Sequence, residues 1–96
     1  MNYHILLTGA TGLLGRYLLR DLLLADTPVA VLVRRGRRQN AAERVEAMML
    51  SWEAMLNREL PRPHVLEGDL TKPNLGLGDE DLNWIEKNCD SVLHNA

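Results

Sequence analysis

Ile5-Leu6-Leu7-Thr8-Gly9-Ala10-Thr11-Gly12-Leu13-Leu14-Gly15 is the stretch whose reading decides the fold. The apolar run Ile5-Leu6-Leu7 reads as a strand buried on both faces, and a helical pattern opens near Leu13. A strand, a glycine-rich turn and a helix N-terminus, in that order, form a cradle for a phosphate. The turn exposes backbone N–H groups, and the positive end of the helix dipole adds favourable potential for an anion. Each glycine has its own task. Gly9 permits the tight turn, Gly12 lets the backbone approach a pyrophosphate, and Gly15 lets the helix lie close against the strand. The spacing is G-x-x-G-x-x-G rather than the commoner G-x-G-x-x-G. The plain alternative is a glycine-rich turn that holds no ligand.

Working outward, the first helix is expected over residues 12–25. Leu14, Leu18, Leu22 and Ala25 fall on its inner side, with Arg16 and Arg20 toward solvent. Pro28 disfavours helix in the residue before it and ends the element. Val29-Ala30-Val31-Leu32-Val33 is the second buried strand. Arg34-Arg35-Gly36-Arg37-Arg38 follows at once. In a doubly wound fold this place lies beside the adenine ribose of a bound dinucleotide. An acid there holds the 2′-hydroxyl of NAD, and an arginine there accommodates the 2′-phosphate of NADP. The chain has Arg34 at the strand end and no acid. The competing reading is a solvated basic loop, which fits at least two of the four arginines.

Asn40-Ala41-Ala42-Glu43 has the form of a capping box. Val45, Met48, Met49, Trp52, Met55 and Leu56 continue as an amphipathic stripe, the face of a helix packed on a sheet rather than a partner groove. Arg44, in its first turn, is a second candidate for the 2′-phosphate. His64-Val65-Leu66-Glu67 reads as the third strand. In Gly68-Asp69-Leu70 the carboxylate of Asp69 is placed to accept from an adenine amino group, with Leu70 packing on the ring. The alternative for Asp69 is a turn former ahead of Thr71 and Pro73. Asp79-Glu80-Asp81 opens another helix, whose inner face is Leu82, Ile85 and Cys89, so Cys89 reads as a small buried hydrophobe. Ser91-Val92-Leu93-His94-Asn95-Ala96 is the fourth strand, expected beside the first at the switch point, with Asn95 and Ala96 near the nicotinamide ribose.

Repeated strand–helix units without a second glycine cradle predict right-handed crossovers and a parallel sheet. The expected fold is therefore α/β, the N-terminal portion of a Rossmann-type doubly wound sheet, with four strands, three helices and strand order 3-2-1-4. With 96 residues the chain is at most one domain. A chain this short buries about 60–65% of its unfolded surface, so its core is thin. The net charge of −2 gives no support to nucleic-acid binding or anionic-membrane attraction. A single cysteine excludes an internal disulfide and fits a reducing compartment. No basic leader precedes the first strand, and no apolar run approaches the ~20 residues of a membrane span. The expected location is cytoplasmic, and no metal-ligand set is read.

Taken together, Thr8-Gly9-x-x-Gly12-x-x-Gly15, Gly68-Asp69-Leu70 and His94-Asn95-Ala96 resemble the extended short-chain dehydrogenase/reductases. Within them, Asn74-Leu75-Gly76-Leu77 before an acidic helix, the Arg34 position and Asp90-Ser91-Val92-Leu93-His94 are similar to the thioester reductases. That branch includes the terminal reductase domains of carboxylic acid reductases and peptide synthetases, and the fatty acyl-CoA reductases. The similarity covers the first part of such a domain only. It implies NADP(H)-dependent reduction of an acyl thioester, carried by a carrier protein or CoA, to an aldehyde or alcohol. It also implies cofactor contacts by Thr8, Gly9, Thr11, Gly12, Leu13, Leu14, Gly15, Arg34, Asp69 and Leu70. The family's catalytic Tyr-x-x-x-Lys does not transfer: four residues after Tyr3 stands Leu7, and four after Tyr17 stands Asp21. The chain is thus expected to be an incomplete NADP(H)-binding domain without its substrate and catalytic part. Two other readings are a sugar epimerase or dehydratase of the same group and a non-catalytic NADP-binding module. Val92 and Leu93 are expected on an uncovered strand edge, so the isolated chain should self-associate or fold only marginally.

Overall fold

The structure, a computed structural model, describes residues 3–95; Ala96, a candidate cofactor contact, lies outside the described residues. Its elements in chain order are β1 (His4–Thr8), α1 (Gly15–Leu24), β2 (Val29–Val33), α2 (Ala41–Leu56), β3 (His64–Glu67), the short turn Pro73–Gly76, α3 (Asp79–Asn88) and β4 (Cys89–His94). The four strands form one parallel sheet in the order β3-β2-β1-β4. This is the doubly wound arrangement expected from the sequence.

Alternation along the strands sends side chains to two separate cores. Leu7, Val29, Val31 and Val33 meet α1 and α2 through Leu19, Leu23, Val45, Met49 and Trp52. Leu6, Ala30, Leu32 and Leu66 meet the α3 side through Leu77, Leu82, Trp84 and Ile85. β2 is buried along its whole length, as its unbroken apolar run requires. At the N-terminal edge of the α3 face, His64 stacks on Trp84 with centroids 3.6 Å apart, and His4 meets the same indole edge-on at 5.1 Å. Burial, followed by the neighbouring His4, holds His64 below the ordinary histidine range.

α1 departs from expectation in both bounds and phase. It begins at Gly15 rather than at residue 12, and its buried residues are Gly15, Leu19 and Leu23, one step round from Leu14, Leu18 and Leu22. The cause is Gly15 itself. A Cβ there would stand 1.8 Å from the Gly9 carbonyl oxygen, so this position must face inward against backbone. The buried row then follows at four-residue steps. Leu14 ends up exposed, and residues 10–14 form the turn instead of the first helical turn.

The capping box of α2 forms as read: Glu43 N–H donates to Asn40 Oδ1 at 2.8 Å, and Asn40 N–H to Glu43 Oε1 at 3.0 Å. Its buried face is Ala41, Val45, Met49 and Trp52. Met55 and Leu56 are exposed instead of continuing the stripe, because the sheet offers them no strand to cover. Arg62, before β3, clamps back onto α2 through Glu46 and Glu53, each at 2.9 Å. Cys89 differs in its element only: it opens β4 opposite His4 rather than ending α3, and it still packs with Leu82 and Ile85 on the Leu6 core. It is half-buried, and burial, then Asp90, pushes its thiol up. β4 runs Cys89–His94 rather than 91–96 and is exposed from Asp90 to His94, Val92 and Leu93 included.

Candidate functional site

The C-terminal ends of β1, β2 and β3 surround a cavity of about 350 Å³. Its first wall is the turn after β1. Gly9 takes φ 73°, a left-handed conformation that a side chain would strain. Gly12 N–H then closes the turn on the Gly9 carbonyl at 3.1 Å. At Gly12 a Cβ would meet only that carbonyl, at 3.3 Å, so its other side is open to the cavity. Gly15 is the opposite case, pressed on Gly9 and on the amide nitrogen of Asn95. Arg16 donates to the carbonyls of Gly12 (3.3 Å) and Thr11 (3.2 Å), occupying acceptors of the turn.

The second wall is cationic. Arg34 leaves the end of β2 and Arg44 sits in the first turn of α2, and both line the cavity. Arg44 Nη1 donates to the Arg34 carbonyl at 2.6 Å, which fixes the basic loop against α2. The α2 N-terminus is itself closed by the capping box and by Glu67, whose Oε1 accepts from Ala41 N–H at 2.8 Å. The cations, not that helix end, are therefore the anion-directed groups on this wall.

The third wall is the loop after β3. Asp69 Oδ1 accepts from the N–H (2.9 Å) and the hydroxyl (2.7 Å) of Thr71. These bonds, helped by the charges of Arg34 and Lys72, hold its carboxyl below the usual range. Asp69 is thus a turn former, and it also lines the cavity beside Leu70, so both readings of the residue have a place in the geometry. Gly68 is packed tightly: a Cβ there would stand 2.4 Å from the Leu75 carbonyl oxygen and 2.6 Å from Leu32 Cδ1.

Of the sequence candidates, Gly9, Thr11, Gly12, Arg34, Arg44, Asp69, Leu70 and Asn95 converge on this cavity. Thr8, Leu13, Leu14 and Gly15 do not line it. Leu13 and Leu14 are exposed, while Thr8 is buried and joins the strands. The Thr8 hydroxyl shares a 2.6 Å hydrogen bond with His94 Nδ1 and accepts from Asn95 N–H at 3.3 Å. That bond ties the end of β4 to β1 and brings Asn95 to the glycine turn. Leu32, Val33 and Thr71 line the cavity without having been singled out. The two strand residues carry no mark separating them from core, whereas Thr two after Asp is a recognisable turn signature. Arg16 was read as a solvent residue, and nothing in the sequence marks its contacts.

A nicotinamide dinucleotide fits these residues at its adenosine and pyrophosphate end. The turn offers a glycine open to the cavity at Gly12, and Arg34 and Arg44 bring positive charge to the same cavity. The family model described as Male sterility protein, an NAD-binding domain, matches residues 7–96. The chain belongs to that family. The family's domain is one that binds a nicotinamide dinucleotide.

A non-reducing polyketide synthase of Emericella nidulans is 37% identical over 94 residues, covering 96% of this chain and 4% of the relative. The large subunit of L-2-aminoadipate reductase from Penicillium chrysogenum is 34% identical over 95 residues, covering 96% of the chain and 7% of the relative. Among solved structures, the terminal R domain of the myxalamid PKS-NRPS pathway is 31% identical with a TM-score of 0.72. The reductase domain of a non-ribosomal peptide synthetase from Mycobacterium tuberculosis is 27% identical, again with a TM-score of 0.72. Both cover 100% of this chain, which spans 25% and 24% of theirs. The male sterility family chain is thus a small part of the length of these relatives. No helix among its described residues is long and apolar enough to cross a membrane.

Proposed function

We propose that this chain is the NADP(H)-binding part of a reductase that takes an acyl thioester to an aldehyde or alcohol. The observation that carries the cofactor preference is the convergence of Arg34 and Arg44 on the cavity of the glycine turn, where no acid stands at the end of β2. The reduction itself is supported by the likeness to an aminoadipate reductase and to reductase domains of peptide-synthetase systems. The bound dinucleotide supplies a hydride. The turn residues Gly9, Thr11 and Gly12 hold its pyrophosphate, Arg34 and Arg44 hold its 2′-phosphate, and Asp69 and Leu70 hold its adenine. Asn95, fixed by Thr8, would lie near the nicotinamide ribose. The proton for the reduced carbonyl oxygen comes from elsewhere in the reductase, since these residues contain no Tyr-x-x-x-Lys. The acyl group arrives as a thioester on a carrier protein or CoA. In isolation the chain self-associates through β4, whose Val92 and Leu93 are exposed.

Calorimetric titration of the chain with NADPH and NADH tests the cofactor assignment. Tighter NADPH binding is expected, with Arg34→Ala weakening NADPH at least tenfold and leaving NADH nearly unchanged. Equal losses for both cofactors would remove Arg34 from the phosphate role.

A further inference from the structure

Of the three helices, α3 is held most lightly. None of its ten residues is fully buried, and its N-cap, Gly78, offers no side-chain bond. By contrast, α2 buries Ala41, Val45, Met49 and Trp52 and closes its N-terminus with a capping box. So short a helix does not persist on its own propensity, and packing must hold it. Its largest inward side chain is Trp84, whose indole meets two imidazoles. His64 of β3 lies flat on it, with 3.6 Å between centroids and 6° between planes, and His4 of β1 meets it at 5.1 Å and 66°. β2, the strand between these two, presents only Ala30 here, paired in register with His64. The missing bulk leaves a slot that the three half-buried rings fill. His4 Nδ1 is buried there without a hydrogen-bond partner among the described residues, so a proton on it would find no acceptor. The ionisable groups facing His64 are His4 from β1 and Asp81 from α3, while Cys89 stands at the start of β4 opposite His4 and β2 brings none. Glu80, Glu86 and Lys87 of α3 are exposed. Burial and then His4 disfavour a charge on His64, and Asp81 opposes them.

We propose that His4, His64 and Trp84 form an acid-sensitive latch, which fastens α3 to the sheet while the imidazoles are neutral and releases it when His64 takes a proton. The sign follows from His64. The fastened state holds it below the ordinary histidine range, and the released state returns it to about 6.5, so the fastened state binds fewer protons. The fastening is therefore complete above about pH 6.5 and weakens as pH falls below it. The element that moves is also defined. Leu75 and Leu77, just before α3, pack in the same core as Trp84, Leu82 and Ile85. Asp69 N–H donates to the Leu75 carbonyl at 2.7 Å, and Leu77 N–H to the Asn74 carbonyl at 3.0 Å. Loosening α3 thus loosens the loop from Asp69 to Leu77, which lies at the other end of the sheet from the latch. A proton taken up at the N-terminal ends of β1 and β3 is in this way felt at their C-terminal ends.

The test is hydrogen–deuterium exchange of the full chain at about pH 7.5 and about pH 5.5, corrected for the intrinsic pH dependence of amide exchange. Protection of α3 and of the loop from Asp69 to Leu77 should fall by up to about tenfold in acid, while α2 keeps its own. That is the factor one released imidazole of ordinary affinity supplies across this range. His64→Phe, which keeps a flat ring on the indole, should hold α3 equally at both pH values. Asp81→Asn removes the charge that favours the imidazolium and should move the loss of protection to more acidic pH. Unchanged α3 protection in the wild type overturns the latch, and so does a gain in acid, the mark of an imidazolium held on the indole face. A fall shared equally by α2 makes the effect global and overturns it as well. The same acid fall in His64→Phe removes His64 as the source and overturns the assignment.

Discussion

Replacing Gly15 by alanine should damage stability and nucleotide binding together, and the structure sets the scale. The new Cβ would stand 1.8 Å from the Gly9 carbonyl oxygen, 2.7 Å from the Gly9 carbonyl carbon and 2.9 Å from Asn95 Nδ2. Ordinary C···O contact begins near 3.3 Å, so α1 and the turn must separate by about 1.5 Å. Two of the three obstacles are backbone, which cannot rotate away as a flexible side chain would. Overpacking of this kind costs about 1–3 kcal/mol, and the helical preference of alanine over glycine returns about 1 kcal/mol at most. The difference is about 0–2 kcal/mol, and its middle value of about 1 kcal/mol lowers the melting temperature of a domain this size by roughly 4–8 °C. The displaced atoms belong to the turn that closes Gly12 N–H on Gly9, so NADPH affinity should fall at least tenfold in the same variant. Gly78, where an added Cβ meets nothing within 4 Å, provides the control: Gly78→Ala should leave NADPH binding unchanged. Melting followed by circular dichroism, together with calorimetric titration, reads both effects. If Gly15→Ala melts and binds like the wild type, the close approach of α1 to Gly9 is not what shapes the turn.

Thr8→Val should destabilise the chain by about 1–3 kcal/mol in urea denaturation, since it leaves the Asn95 N–H and His94 Nδ1 without their shared partner. Thr8→Ser should recover most of that, and equal stability of the Val and wild-type chains would refute the tie between β1 and β4. Hydrogen bonds from Arg62 and from the Leu60 N–H hold Glu53 at about 2, below its ordinary 4.5. The folded chain therefore binds fewer protons than the unfolded chain between those values. The contribution is complete above pH 4.5 and is lost as pH falls toward 2. Melting temperatures measured at several pH values should show a shallower acid fall in Glu53→Gln than in the wild type, and parallel falls would exclude Glu53 as a source of that slope.

The two strands β2 and β3 were legible because their residues carry little ambiguity. β2 is five consecutive apolar residues, and β3 matched to the residue because Pro63 and Gly68 bound it. The capping box of α2 was equally local, a matter of Asn40 and Glu43 three residues apart. The phase of α1 was not legible from its leucines. Residues 13, 14, 18, 19, 22, 23 and 24 are all leucine, so apolar spacing permits more than one inward face. What selects among them is the distance between Gly15 and the Gly9 carbonyl, a property of the folded backbone. The end of α2 escaped for a related reason: Met55 and Leu56 continue a helical period, and only the sheet's extent decides where burial stops. Within the site, residues marked by charge or by glycine were found, whereas Leu32 and Val33 serve the cavity with the same atoms that serve the core.

The cavity owes its width to two places where backbone meets backbone. At one wall Gly15 lets α1 press on Gly9, which turns the open side of Gly12 toward the cavity. At the other, Gly68 lets the Leu75 carbonyl come in where a side chain would stand, and Asp69 N–H donates to that same carbonyl at 2.7 Å. The loop from Asp69 to Leu75 is thereby folded over the end of β3, with Leu77 packed beneath it in the α3-side core. Asp69 and Lys72 inherit their positions from that fold, as Thr11 and Asn95 inherit theirs from the first. Neither wall depends on a large side chain for its placement, so the polar groups on both can be exchanged without moving the frame. That separation sets the glycine framework apart from Arg34 and the charges around it, on which the proposed preference for NADP(H) rests.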